Sequence, residues 1–245
     1  MIINSKQNAK VKFYASLKEK KYRQKHGLYL VEGVKMVREA IKYNQKIKCI
    51  IGESDKVSEY ANSGIEILEV TGEVLSAICD TKTPQGVVAV LEMPNLKPKK
   101  LSGVSVCLDG VSDNGNLGTI LRILTAVGIT ELYLINSVDV YAPKTVRSSM
   151  SGIYNVNVYN VTADEFIELS NGVPLIIADM NGENVFNFEP PKAFSMIFGS
   201  EAHGVSEKLK NLATHVVKIP MENNLESLNV GVSAGIILYQ LINKI

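Results

Sequence analysis

The chain has few of the residues that build metal centres and covalent cross-links, and no stretch long enough to cross a bilayer. Its three cysteines, Cys49, Cys79 and Cys107, are odd in number, far apart and each set in an apolar run, so buried free thiols are expected rather than disulfides. The three histidines, His26, His203 and His215, stand at no ligand spacing from a cysteine or from one another, so no metal is expected. No apolar run approaches the roughly 20 residues of a membrane span, and the opening Met1-Ile2-Ile3-Asn4-Ser5-Lys6-Gln7 has no apolar signal-peptide core. A soluble cytoplasmic protein without membrane association is expected.

What the chain does have is length, apolar content and a segregated charge. With 245 residues, 46% of them apolar, it can bury one large core or two small ones, and two domains is the better starting point. The net charge of +1 hides an asymmetry: residues 1–50 carry thirteen Lys or Arg against Glu19, Glu32 and Glu39, a balance of +10, which leaves −9 for the remainder. A basic segment of that density is the footprint of a surface that meets phosphates, and Tyr14, Tyr22 and Tyr29 are interleaved as candidate stacking partners. A solvated lysine-rich helix would show the same charge.

Apolar periodicity predicts a helix from Asn8 to about Lys21, then alternating strands and helices up to a strand at Gly86–Glu92, the pattern of an α/β/α layer structure. Met93-Pro94-Asn95-Leu96-Lys97-Pro98-Lys99-Lys100, with two prolines and three lysines, reads as a linker and sets the expected domains at 1–95 and 103–245. The second part begins with a strand Val104–Leu108 and a helix Leu117–Val127 closed by Gly128. Strands follow at Leu132–Ile135, Val156–Tyr159, Leu175–Ala178, Ser195–Phe198 and Val216–Ile219, before a last helix Asn229–Ile242. A parallel α/β sheet with functional loops at the carboxyl ends of its strands is the predicted architecture.

Three polar loops follow apolar strands there. The first, Asp109 to Gly118, leads into a helix that displays Arg122 opposite its apolar face, where a planar fork of donors suits a phosphate or a developing oxyanion. Its glycines do not fit the dinucleotide fingerprint. In the second, Gly199-Ser200-Glu201-Ala202-His203-Gly204, Gly199 would let a ligand approach the backbone, and Glu201 would be buried only if paired with a base such as Arg122. The third runs from Ile219 to Asn229, with backbone groups free to hold an adenine edge and Ser227 and Asn229 able to orient a hydroxyl.

Together these loops resemble the three signature motifs of the SpoU/TrmH family of RNA 2′-O-ribose methyltransferases. The first is carried by Asp109, Val111, Asp113, Asn116-Leu117-Gly118 and Arg122, and the second by Gly199-Ser200-Glu201 with His203-Gly204. The third is carried by Ile219-Pro220-Met221 with Glu226-Ser227-Leu228-Asn229, and the segment between the first two motifs by Asp139, Tyr141, Pro143-Lys144, Arg147, Ser149-Met150 and Gly152. The N-terminal part is similar to the family's ribosomal-protein-like substrate-binding domain through Asn4-Ser5, Asn8, Lys20-Lys21-Tyr22-Arg23 and Val31-Glu32-Gly33. Two positions depart from the pattern: Asn114 stands where proline is common, and Asn223 where glycine is common, although asparagine tolerates the left-handed region.

The resemblance implies a C-terminal domain tied in a trefoil knot, a homodimer with its RNA site built across two subunits, and S-adenosylmethionine as cofactor. It implies cofactor contacts at Met180, Gly199, Ile219, Met221, Ser227 and Leu228, and catalytic roles for Asn116, Arg122, Glu201, Ser227 and Asn229, with Asn116 and Glu201 orienting Arg122. RNA contacts are expected at Lys10, Lys21, Arg23, Lys25, Lys144 and Arg147. Ribosomal RNA is the favoured substrate, with transfer RNA and a non-catalytic RNA-binding or ribosome-assembly role as alternatives.

Overall fold

The computed structural model describes residues 2–223 and 227–245. Its backbone forms two compact units, Met1–Asn95 with Tyr141–Tyr154, and Leu96–Val140 with Asn155–Ile245. The stretch Tyr141–Tyr154, which the sequence reading gave to the second domain, packs with the first.

The first unit runs α1 (Ala9–Ser16), α2 (Lys20–His26), β1 (Leu28–Glu32), α3 (Val34–Lys42), β2 (Ile47–Gly52), α4 (Ser54–Val57), β3 (Glu66–Glu69), α5 (Gly72–Ile78) and β4 (Val87–Glu92). Its sheet has the order β1-β4-β2-β3, with β4 antiparallel to both neighbours and β2 parallel to β3. The single helix expected from Asn8 to Lys21 is two. The guanidinium of Arg23 is buried and its Nη1 donates to the carbonyls of Leu17, at 2.9 Å, and Lys18, at 2.6 Å, so the end of α1 is capped from the next helix. Tyr14 and Tyr29, read as stacking partners, are core residues of this unit. Its later segment carries α7 (Pro143–Ser149), tied down by Arg147, whose Nη2 lies 2.7 Å from Asp80 Oδ2 while Nη1 lies 3.6 Å from Glu32. Glu32 in turn accepts from the backbone of Asp80 and Thr81 and from the Thr81 hydroxyl.

The second unit is built from β5 (Val104–Asp109), α6 (Asn114–Ala126), β6 (Glu131–Ile135), β7 (Asn157–Asn160), α8 (Ala163–Leu169), β8 (Leu175–Asn184), β9 (Phe194–Gly199), α9 (Glu207–Lys210), β10 (His215–Lys218) and α10 (Val230–Ile242). Every pairing in its sheet, ordered β10-β8-β9-β5-β6-β7, is parallel. Parallel strands covered on both faces should be apolar throughout, and Val106–Leu108, Leu132–Ile135 and Met196–Phe198 are all buried. Helix α6 starts three residues before the predicted Leu117, because Asp113 caps it by accepting from the Asn116 amide at 2.9 Å. Helices α6 and α10 approach closely where Gly231 faces Thr119 and Gly235 faces Ile123. Cys49, Cys79 and Cys107 are buried and free, and burial pushes the Cys79 thiol up to about 12.

Candidate active site

The strand order turns about β5: the chain leaves it towards β6 and β7, crosses to its other side with β8 and then lays β9 against β5, so the carboxyl ends of β5 and β9 border the crevice where ligands bind in open α/β sheets. Asp109 ends β5 opposite Gly199, and its Oδ2 accepts from the Ser206 amide at 2.8 Å, which ties the first loop to the second.

Three of the five expected catalytic residues join here into one hydrogen-bonded chain drawn from all three motifs. The Asn229 Oδ1 caps α10, accepting from the amides of Gly231, at 2.9 Å, and Val232, at 3.3 Å. Its Nδ2 then donates to Asn116 Oδ1 at 2.8 Å, and Asn116 Nδ2 donates to Glu201 Oε1 at 2.6 Å. The direction of this relay is dictated from one end: backbone N–H groups can only donate, so the Asn229 oxygen must face them, its nitrogen must face Asn116, and a carboxylate is the natural terminus. The outcome differs from the expectation in two ways. Glu201 is exposed and pairs with Asn116 rather than sitting buried against Arg122, and among the described residues neither Asn116 nor Glu201 hydrogen-bonds Arg122. Arg122 is exposed on α6, six residues beyond Asn116.

Asn116 and Glu201 line one cavity of about 580 Å³ together with Asp113, Ser200 and His203, and Leu228, the residue before Asn229, lines another of about 550 Å³. In the latter, Val217–Met221 and Ser227–Leu228 form one wall, Ala178–Asn181 another, and Ser233 and Ile237 of α10 contribute as well. The second wall arises from the pairing of β8 with β10: Ile177 pairs with Val216, but the next residue of β10, Val217, pairs with Glu183, so 178–182 are extruded from the ladder. Gly182 permits this, since a Cβ there would lie 2.6 Å from the backbone of Val216 and Val217. Of the expected cofactor residues, Met180, Ile219, Met221, Ser227 and Leu228 line the cavity. Gly199 is not among its lining residues, and a Cβ on it would meet Gly204 and Val205 backbone atoms at 2.0–2.3 Å, so the closing of its own loop requires a bare residue there. Asn223 adopts φ 56°, the left-handed conformation for which asparagine is the best non-glycine residue. Glu226, part of the third motif, lies outside the described residues.

Sequence reasoning missed Asp179, Asn181, Ser233 and Ile237 in this cavity. The break of an apolar strand into Asp179-Met180-Asn181-Gly182 is the signal that could have found the first two, and the helical spacing of Ser233 and Ile237 could have found the others. Of the expected RNA contacts, Lys10, Lys21, Lys25 and Lys144 are exposed. Lys10 pairs with Glu66 at 2.9 Å and Lys21 with Glu19 at 3.2 Å. Arg23 is buried with its Nη1 turned inward to the carbonyls of Leu17 and Lys18, and Arg147, partly exposed, pairs with Asp80.

An apolar cavity with a few placed polar groups, joined through Leu228 to a polar relay at the carboxyl ends of parallel strands, defines an α/β enzyme with a site of nucleotide size. The chain belongs to the SpoU rRNA Methylase family, whose model matches residues 103–239, and residues 8–89 match the MRM3-like substrate binding domain. It is 30% identical to the 23S rRNA (guanosine(2553)-2′-O)-methyltransferase RlmP of Bacillus subtilis, over 98% of each chain. It is 26% identical to the 23S rRNA (uridine(2479)-2′-O)-methyltransferase of Streptomyces viridochromogenes, over 94% of this chain and 88% of that one. Among solved structures it is similar to the SpoU methyltransferase AviRb from Streptomyces viridochromogenes in complex with AdoMet, with a TM-score of 0.88 and 26% identity over 97% and 98% of the two chains. A TrmH-family protein of Porphyromonas gingivalis gives a TM-score of 0.87 at 28% identity, over 96% and 98%.

Proposed function

We propose that this protein transfers a methyl group from S-adenosylmethionine to a ribose 2′-hydroxyl of ribosomal RNA. The observation that carries the reading is the relay Asn229–Asn116–Glu201, drawn from three separate motifs and joined through Leu228, the residue before Asn229, to the wall of the mostly apolar cavity. The cavity fits the cofactor: its walls are mostly apolar, and past β10 the backbone of Ile219, Pro220 and Met221 leaves the ladder, where its polar groups can meet an adenine edge. Ile219, Met221 and Leu228 would hold the adenine and Ser227 the ribose. S-adenosylmethionine, when bound, supplies a methyl group on a positive sulfonium, an electrophile that needs only an aligned nucleophile.

The protein's part is then positioning and electrostatics. Asn116 and Asn229, held rigid through the α10 cap and the Glu201 carboxylate, fix one side of the reacting hydroxyl. Arg122 would contact the target phosphate and stabilise charge on the ribose oxygen as its proton departs to a phosphate oxygen or to solvent. A guanidinium with pKa above about 12 makes a poor base and a good oxyanion partner.

A homodimer belongs to the same reading, with Arg122 serving a site shared between copies. Helix α10 supports it by leaving Val232 and Tyr239, seven residues apart on one face, about half exposed. Sedimentation gives twice the chain mass if this face pairs, and the chain mass if it stays bare. The trefoil knot, a cytoplasmic location and an RNA-docking role for the lysines of the first unit are further parts of the proposal. Two of the relatives name different bases in 23S rRNA, a guanosine and a uridine, which fits a common site that reads the ribose. Labelled methyl transfer to total RNA, with wild type beside Arg122→Ala, tests the proposal: incorporation into ribosomal RNA lost in the variant supports it, and cofactor binding without transfer favours the non-catalytic role.

A further inference from the structure

The cavity wall formed by the β8 bulge carries a carboxylate that the proposed chemistry has not used. Asp179 is the one acidic residue among the described residues lining the cavity. Its side chain is 21% exposed and fixed in place, with Oδ1 accepting from both the backbone and the side-chain nitrogen of Asn181 at 3.1 Å. Oδ2 lies 3.6 Å from Nζ of Lys210, which stands outside the cavity lining and is 3.5 Å from Glu207 as well, so this ion pair is longer than a hydrogen bond and shared. A carboxylate offers about four lone-pair sites, so Oδ2 retains capacity for another cation. Asp179 is thus the anionic anchor the lining offers, with Lys218 the cationic residue of the same lining, and the methionine end of S-adenosylmethionine is a zwitterion that bears an α-ammonium and an α-carboxylate.

We propose that Asp179 docks the α-ammonium of the cofactor's amino-acid end; this rests on the methyltransferase reading above. The adenine and ribose are then held by apolar and backbone contacts, while the bulge sets where the amino-acid end lies and hence where the methyl-bearing sulfur points. Asp179 is a positioning group, acting on the amino-acid end and not on the methyl group itself.

Calorimetric binding to the intact protein separates this from a general effect on the cavity. The two probes are S-adenosylhomocysteine, which keeps the amino-acid end, and 5′-methylthioadenosine, which lacks it. Asp179→Asn keeps an acceptor for the Asn181 amide and removes the charge. The expected result is a loss of about tenfold or more in affinity for S-adenosylhomocysteine with affinity for 5′-methylthioadenosine unchanged within about twofold. Equal loss for both probes assigns Asp179 a merely structural role in the bulge and overturns the proposal, as does no loss for either. Wild type that binds the two probes equally well also overturns it while leaving the methyltransferase reading intact. Wild type that binds neither probe, nor S-adenosylmethionine, removes that reading and this proposal together.

Discussion

Replacing Gly199 with alanine distinguishes a glycine kept bare for a ligand from one kept bare for the fold. The added Cβ would sit 2.0 Å from Gly204 C, 2.1 Å from Val205 N and 2.3 Å from Gly204 O, all backbone atoms with no rotamer to retreat into. Ordinary contact begins near 3.4 Å, so the loop must open by about 1.4 Å. That displacement takes the paired bonds Ser200 N to Gly204 O, at 3.1 Å, and Gly204 N to Ser200 O, at 2.9 Å, beyond bonding range. Two backbone hydrogen bonds at about 1 kcal/mol each, with about 1 kcal/mol of overpacking, give a cost of about 3 kcal/mol. For a chain of this size that is a fall of roughly 6–12 °C in Tm. The assay is thermal unfolding of the ligand-free protein, read by circular dichroism. A variant that melts within about 1 °C of wild type yet no longer binds the cofactor would refute the argument and restore the ligand-approach explanation.

Asn229→Asp keeps the oxygen that caps α10 but loses the donor to Asn116, so stability should hold while methyl transfer falls by about 100-fold; Asn229→Ala should lose the transfer and about 1 kcal/mol of stability, both read by melting and initial rates. Arg23→Ala removes two buried charge-assisted hydrogen bonds and should cost about 3 kcal/mol in denaturant unfolding. Lys25→Ala should change stability by less than about 0.5 kcal/mol and, if Lys25 meets a phosphate, make the salt dependence of RNA binding shallower by roughly 0.7 in log–log slope. Thr162 and Glu165 form a capping box on α8, and Thr162→Ala should cost about 1 kcal/mol at neutral pH. The Thr162 backbone amide and hydroxyl hold the Glu165 carboxyl below the usual glutamate range, so its stabilisation is present above the unfolded pKa and is lost as pH falls through the lower folded pKa. Glu165→Gln should therefore differ from wild type at pH 7 and converge with it in acid, as melting across pH will show.

The parallel sheet of the second unit was legible because strands buried on both faces read as continuous apolar runs, as at Val104–Asp109 and Phe194–Gly199. The polar loops behind them were legible as interruptions of that pattern, and their family resemblance supplied the roles of Asn116, Glu201 and Asn229. What stayed hidden depends on contacts distant in sequence. Arg23 counted as one more cation until its guanidinium met the carbonyls of Leu17 and Lys18, and Arg147 did so until it met Asp80. The β8 bulge, and Asp179 with it, exists only as a register shift against β10, which no period within Leu175–Asn184 encodes. The polarity of the relay likewise needs the amides of Gly231 and Val232 to set the direction of two asparagine side chains.

Mapping ribose methylation in cells that lack this gene tests the central claim most directly. Large ribosomal RNA from such cells should miss one alkali-resistant linkage present in the parent, and incubation with the wild-type protein and S-adenosylmethionine should restore it, whereas Asn116→Ala should not. Ribosomal RNA with identical linkages in both strains, and no site filled by the protein in vitro, would contradict the account.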